Sequence, residues 1–359
     1  MHVALVANMS WLDEELLTFQ YLVVGLIDEQ VRVAQVVPEQ WSTADLIAFS
    51  ERVTWQESGW PALDRYRLAH LGKRLEELGV DLLHALDGRL WHGVARLANA
   101  INLPAVFSAN SHLDVRLMES TARQADPLRC AFTATTEPIA QAMRDRVDPA
   151  YLVQTISPGA HLGPEALLRE PGEPVCVVVT GNGRMDARYQ ALLEAMAAVV
   201  QADPQTQFFL DGQGGDQHMI WQAASRLGLL RNLSFIPRRL GHREILLRAD
   251  VLVQPQPLGR TRGLMIQAMA RGIPVLAHED PWLDCLIDGQ TCRLLHGPDR
   301  QAWQEALMWV VEQPQEAYDL GQRARAWIQE HRLAAKQIAK VMDLYRRVTG
   351  ATIPFPAGG

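Results

Sequence analysis

The chain runs to 359 residues, long for one hydrophobic core and comfortable for two, since domains span ~100–200 residues. With 48% hydrophobic residues, 21% charged residues and a net charge of −7, it reads as an ordinary soluble globular protein. The acidic balance excludes a general affinity for nucleic acid, which requires a strongly basic surface, and no run approaches the ~18 apolar residues of a membrane-spanning helix.

Apolar runs of strand length alternate with amphipathic segments of helix length, the pattern of doubly wound parallel α/β sheets. In chain order, strands are predicted at His2–Ala7, Val31–Val37, Arg52–Trp55, Leu82–Ala85, Ala105–Ser108, Ala131–Thr135 and Leu152–Ile156. Helices are predicted between them at Glu14–Asp28, Pro61–Leu78, Leu90–Ala100 and Glu137–Arg146. Short apolar runs of this kind fit strands covered on both faces. The opening residues are too short and too uncharged for a secretory signal, so a cytoplasmic protein is expected; peripheral contact with a membrane stays open.

Pro and Gly then concentrate in Ser157-Pro-Gly-Ala-His-Leu-Gly-Pro164 and Arg169-Glu-Pro-Gly-Glu-Pro174, a composition found where few contacts cross between domains. The boundary is therefore placed there, giving residues 1–160 and 161–335, with 336–359 following them. Alternation restarts with strand Val175–Thr180, helix Ala187–Val200, strand Gln207–Leu210, helix Gln217–Leu227, strand Asn232–Phe235 and helix His242–Arg248. Strand Val251–Val253, helix Gly263–Arg271 and strand Pro274–Ala277 follow, then helices Arg300–Glu312, Pro314–Arg332 and Lys336–Val348, and a tail, Thr352–Gly359, that reads as frayed. The four cysteines, Cys130, Cys176, Cys285 and Cys292, show neither a C-x-x-C pair nor zinc spacing. Free buried thiols are expected, with a Cys285–Cys292 disulfide as the alternative.

The most informative stretch is Gln267-Ala-Met-Ala-Arg-Gly-Ile-Pro-Val-Leu-Ala277, a helix running into a Gly turn and a buried strand. With the run Val251–Val253, the turn Gln254-Pro-Gln-Pro257 and the loop Leu258-Gly-Arg-Thr-Arg-Gly263 before it, this makes one βαβ unit whose loop lies at the carboxyl edge of a sheet. It resembles the signature of the retaining B-type glycosyltransferases of the group 1 or family 4 kind, P-S-x-x-E-G-F-G-L-x-x-L-E-A-M-A-x-G-x-P-V-V-A. The second half fits closely. In the first half the two glutamates of the E-x7-E pair fall on Gly259 and Gln267, and Arg260 and Arg262 enter the loop.

Weaker likenesses extend over nearly the whole chain. "FFLDGQGGD" (208–216) is similar to the family's strand and G-x-G turn, and "LDCLIDGQTCRLL" to its E-x-v-x-D-G segment, with Asp284 in the glutamate position. "DLLHALDG" is similar to D-v-v-H-x-H, and "LPAVFSANSH" to P-x-v-x-t-x-H, with Asn110 at the expected histidine and His112 two residues on. The resemblance implies the GT-B fold: two Rossmann-like doubly wound domains facing across a cleft, with the C-terminal helix crossing back to the first. It also implies an acceptor-side first domain and a nucleotide-sugar-side second domain.

A nucleotide sugar needs backbone N–H groups or cations at its phosphates and hydrogen-bonding groups at its hydroxyls. Gly181-Asn-Gly-Arg184 follows a strand and opens a helix, so Gly181, Gly183, Arg184 and Arg188 are the phosphate candidates, standing where the family has an Arg/Lys pair. Gly263 starts the next helix, and Gln267 keeps hydrogen-bonding reach to a ribose without the charge. Arg260, Arg262, Asp284 and Asn110 are the sugar or acceptor candidates. His84, Asp87 and His112 stand at strand ends in the first half and are the acid–base candidates. No metal site and no obligatory cofactor are expected.

Exchanging an anion for cations beside the sugar opposes an oxocarbenium-like transition state, because a unit charge ~4 Å away is worth about 4 kcal/mol at an effective dielectric of ~20. Two functions therefore stand side by side. One is transfer of a sugar from a nucleotide-diphosphate donor to an unknown sugar, lipid or protein acceptor with retention, the leaving diphosphate helping to deprotonate the acceptor as the resemblance implies. The other is a catalytically inactive glycosyltransferase-like protein kept for binding or assembly.

Overall fold

The structure, a computed structural model, describes residues 1–41, 47–55, 61–170, 172–181, 183–211, 216–236, 245–297 and 299–350. The chain divides into two compact units, Met1–Gly159 with Ala334–Gly359, and Ala160–Leu333. Both are α/β units built on parallel sheets.

In the first unit, β1 (His2–Val6), β2 (Arg32–Pro38), β3 (Glu51–Trp55), β4 (Leu82–Ala85), β5 (Ala105–Ala109), β6 (Cys130–Ala134) and β7 (Leu152–Thr155) stand in the order β3-β2-β1-β4-β5-β6-β7. Every residue of β1 is buried, as its unbroken apolar run requires of a strand covered on both faces. Helices α1 (Met9–Asp28), α2 (Pro61–Glu77), α3 (Trp91–Ala100), α4 (Met118–Ala122) and α5 (Glu137–Arg144) connect the strands. The first helix begins at Met9 rather than Glu14, because the Asn8 side chain accepts from the Trp11 amide at 2.9 Å and caps it.

The second unit has β8 (Cys176–Val179), β9 (Gln207–Asp211), β10 (Leu233–Ile236), β11 (Val251–Gln254), β12 (Val275–His278) and β13 (Arg293–Leu295) in the order β10-β9-β8-β11-β12-β13. One face of its sheet is covered by α6 (Ala187–Ala202), α7 (Gln217–Arg226) and α9 (Arg300–Glu312), whose Leu193, Ile220 and Trp303 meet Val177 and Val253. The other is covered by α8 (Gly263–Arg271) and α10 (Pro314–His331), whose Met269 and Ile328 meet Val178 and Leu252. Residues 263–270 are all buried, and Gly272 ends α8 at φ +80, so the helix, Gly turn and strand stand as the motif predicts. Residues 242–244 of the predicted helix His242–Arg248 lie outside the described residues, as does Gly212-Gln-Gly214, and 246–248 form a turn. The short strand β13 and the helix α4 were not anticipated.

The last helix, α11 (Ala334–Thr349), belongs to the first unit, where Ile338, Val341, Met342 and Tyr345 join Phe19, Leu22 and Leu5 in one core. All four cysteines are free. Among the described residues no helix is long and apolar enough to cross a membrane.

Candidate functional site

In open parallel sheets the ligand crevice lies beyond the strand C-termini where strand order reverses. In the second unit that point falls between β8 and β11. The register sets Val178 beside Leu252 and Val179 beside Val253, so Thr180 and Gln254 are neighbours on the next rung. Both are buried, and neither the Thr180 hydroxyl nor either end of the Gln254 amide has a hydrogen-bond partner among the described residues. The Thr261 hydroxyl, also buried, is in the same condition. Native structures leave few buried polar groups unsatisfied, and three near one switch point mark a place where a ligand or water completes the bonding.

Side-chain ties knit the surrounding loops. Gln256, buried, donates to the Asp186 carboxylate at 2.6 Å and to the Arg184 carbonyl at 3.3 Å, binding the loop after β11 to the one after β8. Asp186 in turn caps α6 through the Tyr189 amide at 2.9 Å. Asp280, beyond β12, accepts from the Gly259 amide at 2.7 Å and from the Trp282 amide at 3.1 Å. Sequence reasoning missed Gln254, Gln256 and Asp280; the alternating Gln254-Pro-Gln-Pro257 was the available signal.

The predicted donor residues fall into two groups. Gly181, Gly183, Arg184 and Arg188 lie on the β8–α6 loop and first turn, the two arginines exposed and Gly183 at φ +67. Gly259, Arg260, Arg262, Gly263 and Gln267 lie on the β11–α8 loop and helix. Gly259 sits at φ +61, a conformation that L side chains enter at a cost. Arg262 departs most from expectation: instead of standing in an open loop it is 1% exposed and occupies the residue before α8. A cation there adds to the positive end of the helix dipole, with no acidic residue in the first turn. Gln267 is 9% exposed. Asp284 pairs with the buried Arg332, which sets it to holding the chain just before the return to the first unit. His278 is lowered from its ordinary value by burial.

At the strand ends of the first unit, His84 bridges elements. Its Nδ1 lies 2.6 Å from the Tyr345 hydroxyl of α11 and its Nε2 lies 2.7 Å from Ser108 Oγ, which continues to Thr133 Oγ1 at 2.8 Å. Burial lowers the imidazole to about 3, so a neutral ring with both nitrogens engaged fastens α11 to β4. The ring lines a cavity of about 50 Å³ with Asn110 and Thr135.

The unfolded chain takes up a proton on this histidine below its ordinary pKa of 6.5 while the folded chain refuses it down to about 3, so stability is complete above that range and falls through it as pH drops. Between pH 7 and pH 4.5, His84→Gln should narrow its stability gap to the parent by on the order of 2–3 kcal/mol, measured as denaturant midpoints at the two pH values.

Asp87 caps the turn after β4 through the Arg89 amide at 2.9 Å. Near it Asp114, which sequence reasoning missed, accepts from the Asn110 and Ser111 amides at 2.9 and 3.0 Å. Burial first, and the charge of Asp87 second, raise the Asp114 carboxyl to about 6. A carboxyl so poised exchanges a proton near neutral pH. His112 is half-buried on the same loop. The structure thus brings Asp87 and Asn110 to Asp114, with His112 on the same loop and His84 lining a cavity shared with Asn110.

Residues 166–327 match the model of the family described as glycosyl transferases group 1. A search of curated proteins finds no match. Among solved structures, sucrose-phosphate synthase from Thermosynechococcus elongatus superposes with a TM-score of 0.78 at 17% identity, covering 98% of this chain and 100% of that one. Anabaena HepE in complex with UDP and glucose gives 0.74 at 15% identity, with 96% and 98% covered. S. aureus MnaA with UDP gives 0.68 at 10% identity, with all of both chains covered. At such identities the likeness establishes the fold, and fold alone does not assign chemistry. The chain has the GT-B fold of these structures, and residues 166–327 of its second unit match the glycosyl transferases group 1 model.

Proposed function

We infer that the chain transfers a sugar from a uridine-diphosphate sugar to an acceptor with retention of configuration. The observation that carries this reading is the β8–β11 switch point, where unsatisfied Thr180, Gln254 and Thr261 groups meet a positive helix start holding the buried Arg262. An anion is the ligand such a place favours. The solved structures of HepE and MnaA, which carry UDP by their descriptions, support uridine diphosphate as the nucleotide. In this reading Gly181, Gly183, Arg184, Arg188 and the Gly263 amide serve the diphosphate, and Gln267 the ribose. Asp87, Asp114 and His112 serve acceptor and proton in the first unit, while His84 positions α11. The β11–α8 loop lacks the acidic pair, so turnover is expected to be slow.

A second reading, binding without catalysis, is favoured by the same loop. Gly259 in the left-handed region and Arg262 in the interior support it, since neither position offers a carboxylate to a sugar.

Thermal unfolding of the full chain with UDP, GDP, ADP and their sugars tests the donor assignment. UDP at about 100 times its dissociation constant should add about 2.7 kcal/mol, and no shift with any nucleotide refutes it. Release of UDP from a labelled UDP-sugar, dependent on added acceptor, separates transfer from silent binding.

A further inference from the structure

The first unit has its own switch point, between β1 and β4, and an open pocket of about 530 Å³ stands over it. Its polar lining is Asn8, Ser10, Gln40 and Arg89, and its aromatic wall is Trp55. The polar groups are mutually fixed: Arg89 Nη1 donates to Ser10 Oγ at 2.7 Å and Ser10 Oγ to Asn8 Oδ1 at 3.0 Å, while Asn8 Nδ2 is buried without a partner. Trp55 is held as a platform, its ring lying over Gly93, where an added Cβ would stand 3.4 Å from Cη2.

Trp55 also walls a second pocket, of about 470 Å³, bounded by Arg52, Arg67, Arg74 and Tyr66. Glu39 is the one acidic residue among the described lining of either pocket. That balance runs against a chain with 41 acidic and 34 basic residues. The Arg74–Glu77 pair at 3.4 Å is about half exposed on both sides and is readily exchanged for another anion. Arg52 is anchored by the Glu39 and Trp41 carbonyls, both at 3.0 Å.

We propose that these two pockets bind one acidic saccharide, with a pyranose ring on Trp55 and carboxylates or phosphates on the flanking arginines. As the identity of the acceptor, this rests on the transfer reading above; as a binding site, it stands by itself. A flat indole face matches the apolar face of a sugar ring, and planar amides and a hydroxyl match its oxygens. Guanidinium groups match carboxylate and phosphate geometry. Concave pockets of this size accept small ligands, which a bilayer surface does not fill, and the acidic chain as a whole repels an extended nucleic acid.

Titration calorimetry of the full chain compares trigalacturonate, maltotriose, inorganic phosphate, a short single-stranded oligonucleotide and phosphatidylglycerol vesicles. Trigalacturonate is expected to bind at least about tenfold tighter than maltotriose, and to weaken steeply with added salt. The double variant Arg67→Gln/Arg74→Gln should lose about tenfold for trigalacturonate with its melting temperature unchanged. Trp55→Ala should weaken both saccharides, and Trp55→Phe should restore them. Equal affinity for the two trisaccharides overturns the proposal, as does binding of neither. Phosphate matching trigalacturonate, or preference for the oligonucleotide or the vesicles, also overturns it. Loss of the UDP melting shift refutes the transfer reading and leaves this titration standing. Failure of the titration with the UDP shift intact refutes this proposal alone.

Discussion

Gly321→Ala is expected to cost about 3 kcal/mol or more in folding stability, measured as the shift in denaturant midpoint. Gly321 lies in α10 where that helix crosses the end of α8. A methyl group added there would overlap the carbonyl oxygen of Gly272 and stand 2.7 Å from its carbonyl carbon and 3.1 Å from Pro274 Cδ. These are backbone and ring atoms, so no rotamer relieves the clash and the helices must part. Because α8 begins at the proposed phosphate site, the same variant should weaken UDP. Gly25→Ala, which meets the Ile338 side chain at 2.5 Å rather than backbone, should lose less. Equal losses would show that the α8–α10 contact yields as easily as a side chain.

Asp284→Ala is expected to cost about 2 kcal/mol, because it removes the carboxylate of a half-buried ion pair whose guanidinium lies in the interior. Arg332 is 5% exposed, its guanidinium lies 5.5 Å from the Trp327 ring centroid, and its carbonyl accepts from the Ala160 amide at 2.8 Å. The residue therefore holds both passages of the chain at the edge of the second unit. The expected pattern is a lowered melting temperature with nucleotide-sugar affinity, measured well below it, little changed. A variant of native stability with lost sugar affinity would return Asp284 to the ligand site where sequence alone placed it.

Much of the fold was legible because β1, β8, β11 and β12 are apolar runs buried on both faces, and because Gly272 closes α8 where its sequence motif requires. β13 escaped notice since Arg293–Leu295 offers three residues after a turn and no period to read. The start of α1 was missed because Met9, Trp11 and Leu12 resemble a loop unless Asn8 is seen as a cap. In the candidate site, residue types were readable and their surroundings were not. His84 ends a strand as expected, yet only packing against α11 reveals both nitrogens engaged. Arg262 was read as a sugar or acceptor candidate from its place in a Gly-rich loop, and nothing in that loop's sequence announces its burial. Asp114 and Asp280 act through backbone amides of other segments, a relation that no local spacing encodes.

The core of the first unit is completed by residues 334–349, which follow the whole of the second unit in the chain. On the ribosome, the amino-terminal sheet must therefore wait with the face receiving Ile338, Val341 and Tyr345 uncovered, while residues 160–333 have every strand they need before residues 334–349 are made. The order of maturation reverses the order of translation, and a chain cut short after Leu333 would leave the ribosome with a finished second unit and a first unit exposed to chaperones and proteases.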